Sequence, residues 1–229
     1  MFVDDASIDN STNIIDYYKI EDERIILIKL KKNKGTLIAR NIGVLFSKGV
    51  YIIIPDSDDI LSNNILKICY KISKKDNYEM IRFNQYDEIL QGYWMKLYFN
   101  EFKVHKIYQP ELSTFNFYGL GYLRLHDFSI SNKFIKRDLF IRAMNSINKI
   151  YLNKYMISLE DGLINFSLHR NAKSLYLLKR LGYYYIYNHN STTKNKKRKK
   201  TFKYLFLYLK YLYENTKNNI LQNKLNLPI

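Results

Sequence analysis

The 229-residue chain holds one cysteine, Cys69, so no disulfide can form within it and the cysteine gives no clue to compartment. Four scattered histidines beside that cysteine form no zinc-type ligand cluster. No uncharged apolar run approaches the ~18 residues of a membrane span, so no transmembrane helix is expected. Met1 is followed at once by Phe2-Val3-Asp4-Asp5, without a basic leader, so no signal peptide and a cytoplasmic location are expected. Acidic residues are scarce: 21 against 37 basic ones, a net charge of +16. That balance suits anionic partners such as nucleotides, phospholipid surfaces or nucleic acid. Lys, Asn, Ile and Tyr are abundant overall, however, which reads as a compositional bias and not as a basic face, so no specific nucleic-acid partner is expected. What the chain does have is 47% apolar residues, enough for a core and too many for wholesale disorder. Its length suits one large α/β domain, or a domain plus a helical tail.

Along the chain, apolar periodicity predicts strands over 1–3, 24–31, 50–54, 79–83 and 183–187. It predicts helices over 12–18, 36–47, 60–73, 131–145, 159–174 and 201–215. Lys48-Gly49 closes the helix over 36–47 as a glycine stop does. The alternation of strands and helices up to about residue 90 predicts an α/β layered sheet. Residues 91–128 are rich in Tyr, Phe and Gly and lack clean periodicity, as a β-ribbon or a loop over a site would. In the last helix Phe202, Leu205, Phe206, Leu209, Leu212 and Tyr213 fall on one side, after the basic run 194–200.

The densest chemical signal is Pro55-Asp56-Ser57-Asp58-Asp59, directly after the apolar strand ending at Ile54. Crowded carboxylates cost free energy unless a cation offsets them. Oxygen ligands of this kind suit Mg²⁺ or Mn²⁺ shared with substrate phosphates, and the C-terminal end of a strand is where open α/β sheets bind ligands. The other reading is that Asp58 or Asp59 caps the helix over 60–73.

Three ordered blocks lie within the first 60 residues: Phe2-Val3-Asp4-Asp5-Ala6-Ser7 to Ser11, Asn33-Lys34-Gly35-Thr36 to Gly43, and Lys48-Gly49-Val50-Tyr51 to Asp59. With Lys136-Arg137-Asp138-Leu139, Leu159-Glu160-Asp161 and Tyr184-Tyr185-Ile186-Tyr187 downstream, the chain resembles the family-2 glycosyltransferases over roughly residues 1–193. The resemblance implies the GT-A fold, a Rossmann-like, mostly parallel central sheet flanked by helices. It implies a nucleotide-sugar-binding half over 1–90, an acceptor half over 91–193, and outside both a basic linker with an amphipathic C-terminal helix over 194–229. The activity implied is transfer of a single sugar, with inversion, from a nucleotide-diphosphate sugar to a hydroxyl on a glycan, lipid or protein.

On this resemblance Asp5, with Asp4 beside it, accepts a hydrogen bond from the nucleotide base. Arg40 reaches base or phosphate oxygens through its planar donors. Asp56 and Asp58 form the DxD motif that meets nucleotide and metal, Mn²⁺ or Mg²⁺, with Asp58 as its main ligand. Asp59 caps the next helix or supports the ligands. Asp161 is the general base for the acceptor hydroxyl, and Glu160 orients the acceptor or stands in for it. Each carboxylate has a plainer use, Glu160 and Asp161 as helix N-terminal anions above all. His126-Asp127 reads as a structural pair or an acceptor contact.

The pattern departs from the family in two places. The family opens with a further β-α unit of about 30 to 40 residues before the segment matching Phe2, so an N-terminally truncated domain is expected, with unpaired backbone and an exposed apolar face. The Gln-x-x-Arg-Trp signature is absent and the sole tryptophan is Trp94, which argues for single-sugar transfer over processive synthesis. The truncation keeps a second reading open, a catalytically inactive GT-A-like fragment or partner subunit. The basic stretch 194–213 keeps a third, a membrane- or nucleic-acid-binding module, with peripheral contact to an anionic membrane.

Overall fold

The computed structural model describes residues 1–87, 106–107, 129–152, 159–188, 207–212 and 214–215. The first two strands, β1 (Phe2–Asp4) and β2 (Leu27–Lys29), pair in parallel across the helix α1 (Ser11–Glu21) and form a sheet of their own. Helix α2 (Thr36–Phe46) packs on β1 and leads to β3 (Tyr51–Ile52). Then come β4 (Ile60–Leu61), α3 (Ile65–Asp76), β5 (Met80–Asp87) and the short β6 (Lys106–Ile107). After these follow β7 (Lys133–Lys136), α4 (Arg137–Ser146), α5 (Lys149–Leu152), α6 (Glu160–Asn171) and β8 (Leu175–Tyr185), and beyond them a helical stretch over 207–212 and 214–215.

The larger sheet has six strands in the order β3-β7-β5-β8-β4, with β6 also on β8. The α/β class holds, but this sheet is mixed where a mostly parallel one was expected. β5 and β8 are parallel, whereas β7 runs antiparallel to both β3 and β5, and β4 and β6 run antiparallel to β8. Side-chain alternation explains how such a sheet is held. Phe134 and Ile135 on β7 point to opposite faces, as do Ile81 and Met80 on β5. One face, with Ile52, Met80, Ile135, Leu175 and Leu177, is covered by α4 and α6. The other, with Tyr51, Ile81, Phe83, Phe134 and Tyr183, is covered by α3 through Ile65 and Cys69. Tyr51 stacks on Phe134 at 4.7 Å, fixing β3 against β7.

Several sequence expectations are corrected. Residues 133–136 are a strand and not the start of a helix, because Phe134 and Ile135 are claimed by two sheet neighbours and two cores at once. Ile60–Leu61 is a strand on β8, so the next helix begins only at Ile65, behind Asn64. The final strand starts at Leu175, eight residues before the predicted one. Gly182 lets it lie close to α3: a Cβ there would stand 2.5 Å from both Ile65 and Phe83. In the tail, Leu207, Tyr208 and Tyr211 are buried in the larger core while Leu209 is exposed, a stripe rotated from the predicted one. Both faces of that helix are apolar in sequence, so periodicity could not choose between them. Tyr211 meets Phe166 of α6 edge-on and shares a 2.6 Å hydrogen bond with Ser167. The region 91–128 apart from β6, and the basic run 194–200, lie outside the described residues. Among the described residues no helix is long and apolar enough to cross a membrane.

Candidate active site

Three of the carboxylates singled out from sequence meet around the guanidinium of a fourth residue, Arg40. Arg40 lies in the second turn of α2, and its side chain is 9% exposed. Its Nη2 donates to Asp56 Oδ1 at 2.7 Å, while Nη1 donates to Glu160 Oε1 at 3.3 Å and to Asp161 Oδ1. Asp56 comes from the loop after β3; Glu160 and Asp161 open α6, more than a hundred residues later. Burial works against the Arg40 charge, but Asp161, Asp56 and Glu160 outweigh it and hold the group protonated above its ordinary value. Burial pushes Asp161 up to about 7; Arg40 opposes the rise, and the neighbouring Glu160 and Asp56 carboxylates add to it. Burial likewise raises Glu160, again against Arg40. A carboxyl poised near neutrality is matched to accepting a proton at working pH.

Backbone geometry sets these groups in place. Leu159, just before the acidic pair, sits in the left-handed region at φ 67°, which costs a bulky residue about 1–3 kcal/mol. Backbone strain of this kind clusters at active sites. Helix α2 is pinned at both ends. Asp5 accepts the backbone N–H groups of Lys34 and Gly35, each at 2.7 Å, where Gly35 turns at φ 87° to start the helix. Arg137 donates to the carbonyls of Val44 and Leu45 at the far end, 3.2 and 3.0 Å away. Asp5 therefore anchors α2, while Asp4, 9% exposed, receives the N–H of Ser7 at 3.3 Å. Asp5 thus stands at the N-terminal end of the helix that carries Arg40.

Asp59 does not cap a helix. It accepts from the Tyr183 hydroxyl and, at 2.9 Å, from the N–H of Ile186. Burial raises Asp59, while the bonds from Tyr183 and Ile186 pull it back. The Tyr183 oxygen also receives the Asp56 N–H at 3.2 Å, so one phenol holds both ends of the acidic loop against β8. Ser131 adds a 3.4 Å bond to Asp56 Oδ2. Tyr183 and Ser131 were missed as site residues in sequence. Tyr183 reads as one strand tyrosine among 22 tyrosines, and only its pairing across the sheet gives it away. Asp58 is exposed at the rim, 3.0 Å from the Asn188 amide. His126-Asp127 lies outside the described residues.

Among the described residues no group of three or more His, Cys, Asp or Glu side chains is arranged to hold a metal. Asp56 and Asp58 supply hard oxygens from one loop. Mg²⁺ and its like commonly take one or two carboxylates and complete their shell with water and substrate phosphates, so this donor set fits an ion that arrives with a diphosphate.

A family model described as Glycosyl transferase family 2 matches residues 1–143. The chain is 30% identical over 190 residues, 81% of its length, to the poly(ribitol-phosphate) beta-N-acetylglucosaminyltransferase TarP of Staphylococcus aureus, of which this covers 52%. It is 32% identical over 114 residues, 49% of its length, to the glycosyltransferase GlyG of Streptococcus pneumoniae, covering 38% of that protein. The crystal structure of S. aureus TarS 1-349 in complex with UDP-GlcNAc superposes over 84% of this chain and 50% of that one, with a TM-score of 0.60 and 18% identity. That likeness is one of fold. The chain spans about half the length, or less, of these relatives.

Proposed function

The chain belongs to glycosyl transferase family 2 and has the GT-A fold, and from that premise we propose that it moves a single sugar from a nucleotide-diphosphate sugar to a hydroxyl acceptor, with inversion. The observation that carries this reading is the convergence on Arg40 of the loop carboxylate Asp56 and the helix pair Glu160–Asp161. One side of the cluster suits a donor phosphate; the other offers a base whose proton affinity is tuned near neutrality.

In the proposed reaction the acceptor oxygen attacks the anomeric carbon from the face opposite the leaving diphosphate. A new carbon–oxygen bond forms, the bond to the phosphate oxygen breaks, and its electron pair departs with the nucleoside diphosphate. Asp161 takes the hydroxyl proton, a contribution of about 10²–10⁴ in rate. Glu160 orients the acceptor, and Asp4 and Asp5 border the pocket of the base. Asp58, with Asp56, would hold Mn²⁺ or Mg²⁺, which when bound offsets charge on the diphosphate. TarS binds UDP-GlcNAc, so UDP is the first nucleotide to try here.

Calorimetric titration of UDP into the purified chain, with and without Mn²⁺ and beside Asp58→Ala, tests the reading. Binding that requires both the ion and Asp58 is the expected result. A cooperatively melting chain that binds neither UDP nor GDP under any of these conditions would leave a fold without a donor site.

A further inference from the structure

Arg40 makes a choice that the proposed reaction cannot leave standing. A general base needs a basic oxygen facing the acceptor, yet Arg40 holds Asp161 Oδ1 and its charge draws basicity from the whole carboxylate, Oδ2 included. A donor site needs cationic donors free for phosphate oxygens, yet the same guanidinium is spent on Asp56, Glu160 and Asp161. A diphosphate brought to the cluster competes with its three carboxyl groups for Arg40. Guanidinium suits phosphate at least as well as carboxylate, through paired parallel hydrogen bonds.

The backbone permits the exchange. Helix α2 is fixed at its start by Asp5, at its end by Arg137, and along its length by buried Leu37 and Val44. Arg40 can therefore move only through its own side chain, whose unbranched stem gives its head several ångströms of reach. Asp161 stays where the strained Leu159 turn and the buried α6 place it. The side chain moves and the base does not.

Resting on the donor reading above, we propose that Arg40 is a latch on the base: without donor it ties up Asp161, and an incoming diphosphate draws it away and frees Asp161 for the acceptor. The device imposes an order, donor before acceptor. It also keeps the base from activating water when no donor is present. Arg40 is then a positioning residue for Asp161, and its contact with Asp56 carries news of donor occupancy from one side of the cluster to the other.

Carbodiimide labelling of carboxylates, read by mass spectrometry with fragmentation to separate Glu160 from Asp161, tests this on the whole chain. In the free protein Asp161 is expected to label slowly. UDP with Mn²⁺ is expected to raise its labelling several-fold. In Arg40→Ala, Asp161 is expected to label fast from the start and to ignore UDP; Arg40→Lys, a cation without the paired donors, is expected to fall between. The comparison of wild-type protein with and without UDP needs no variant to fold. If calorimetry shows UDP bound while Asp161 labelling stays level or falls, Arg40 is a fixed strut, the latch is wrong and the donor reading survives. If UDP does not bind, both readings fall together.

Discussion

Helices α1 and α6 are nearly equal in length, 11 and 12 residues, and differ in almost everything else. No residue of α1 is buried, although it carries Ile14, Ile15, Tyr17, Tyr18 and Ile20. In α6 the run Gly162 to His169 is buried without a break. Helix α1 belongs to a two-stranded parallel sheet, whereas α6 lies across a six-stranded one and under the C-terminal tail. Parallel strands are ordinarily covered on both faces. The exposure of Phe2, Ile14, Tyr17 and Ile20 shows how much apolar surface the β1-α1-β2 unit leaves open among the described residues. A short helix without a packed face gains little beyond its own marginal propensity. The site follows the same division: Glu160 and Asp161, whose proton affinity burial raises, open α6, and the β1 side contributes Asp5 as an anchor for α2.

The contrast sharpens into measurements, of which the largest effect is on chemistry. Asp161→Asn is expected to cut sugar transfer by about 10²–10⁴ while leaving UDP binding in place. Asp16→Asn on α1 should leave both within twofold, and a similar loss there would erase the distinction. In urea unfolding, Phe166→Ala is expected to cost about 3–5 kcal/mol, since it opens a cavity where Phe166 meets Tyr211. Tyr183→Phe strips the acidic loop of its shared phenol and should cost about 1–3 kcal/mol, with weaker UDP binding as the companion readout.

The pH dependence follows from Asp161 and the groups that face it, Arg40, Glu160 and Asp56. As a base it works deprotonated; burial has raised it to about 7 with Arg40 in contact, and drawing Arg40 away raises it further, so the rate should fall by about tenfold per unit as pH drops below 7. Stability moves the opposite way for this group. Its folded form holds a proton more tightly than the unfolded chain, so its contribution is full below pH 3.8 and fades as pH rises from there to about 7. A rate profile flat from pH 5 to 8 would remove Asp161 from the role of base. Smallest of all, Ile20→Ser on α1 should change stability by no more than about 0.5 kcal/mol, because that residue is 87% exposed.

Local signals carried much of this in the sequence. The β3 strand, the acidic loop, the glycine-started α2 and the Glu160–Asp161 helix start were all legible, because each rests on contacts between near neighbours or on a motif of a few residues. The β7 strand was not. Lys133-Phe134-Ile135-Lys136 runs into a real helix without a break in composition, and only the partners Tyr51, Ile81 and Phe83 on distant strands make it a strand. Of the two readings of Asp59 the helix cap fails for the same reason: its short-range pattern is that of a cap, and its actual donors, Tyr183 on β8 and Ile186 just beyond it, lie more than 120 residues away. Arg40 and Asp161 were each singled out in the sequence, but their direct contact was not expected, since no spacing rule links residue 40 to residue 161.

Gly182 ties these observations to the sheet. It precedes Tyr183, and its carbonyl receives the N–H of Ser62 at 3.0 Å while Ile65 and Phe83 close over its Cα. Any larger residue would wedge β8 away from α3, and Tyr183 would rise with it, carrying the anchor of Asp56 and Asp59. A hydrogen atom on the α3 face of the sheet is in this sense the gauge of the acidic loop, and Gly182→Ala is expected to weaken UDP binding without touching a single polar group.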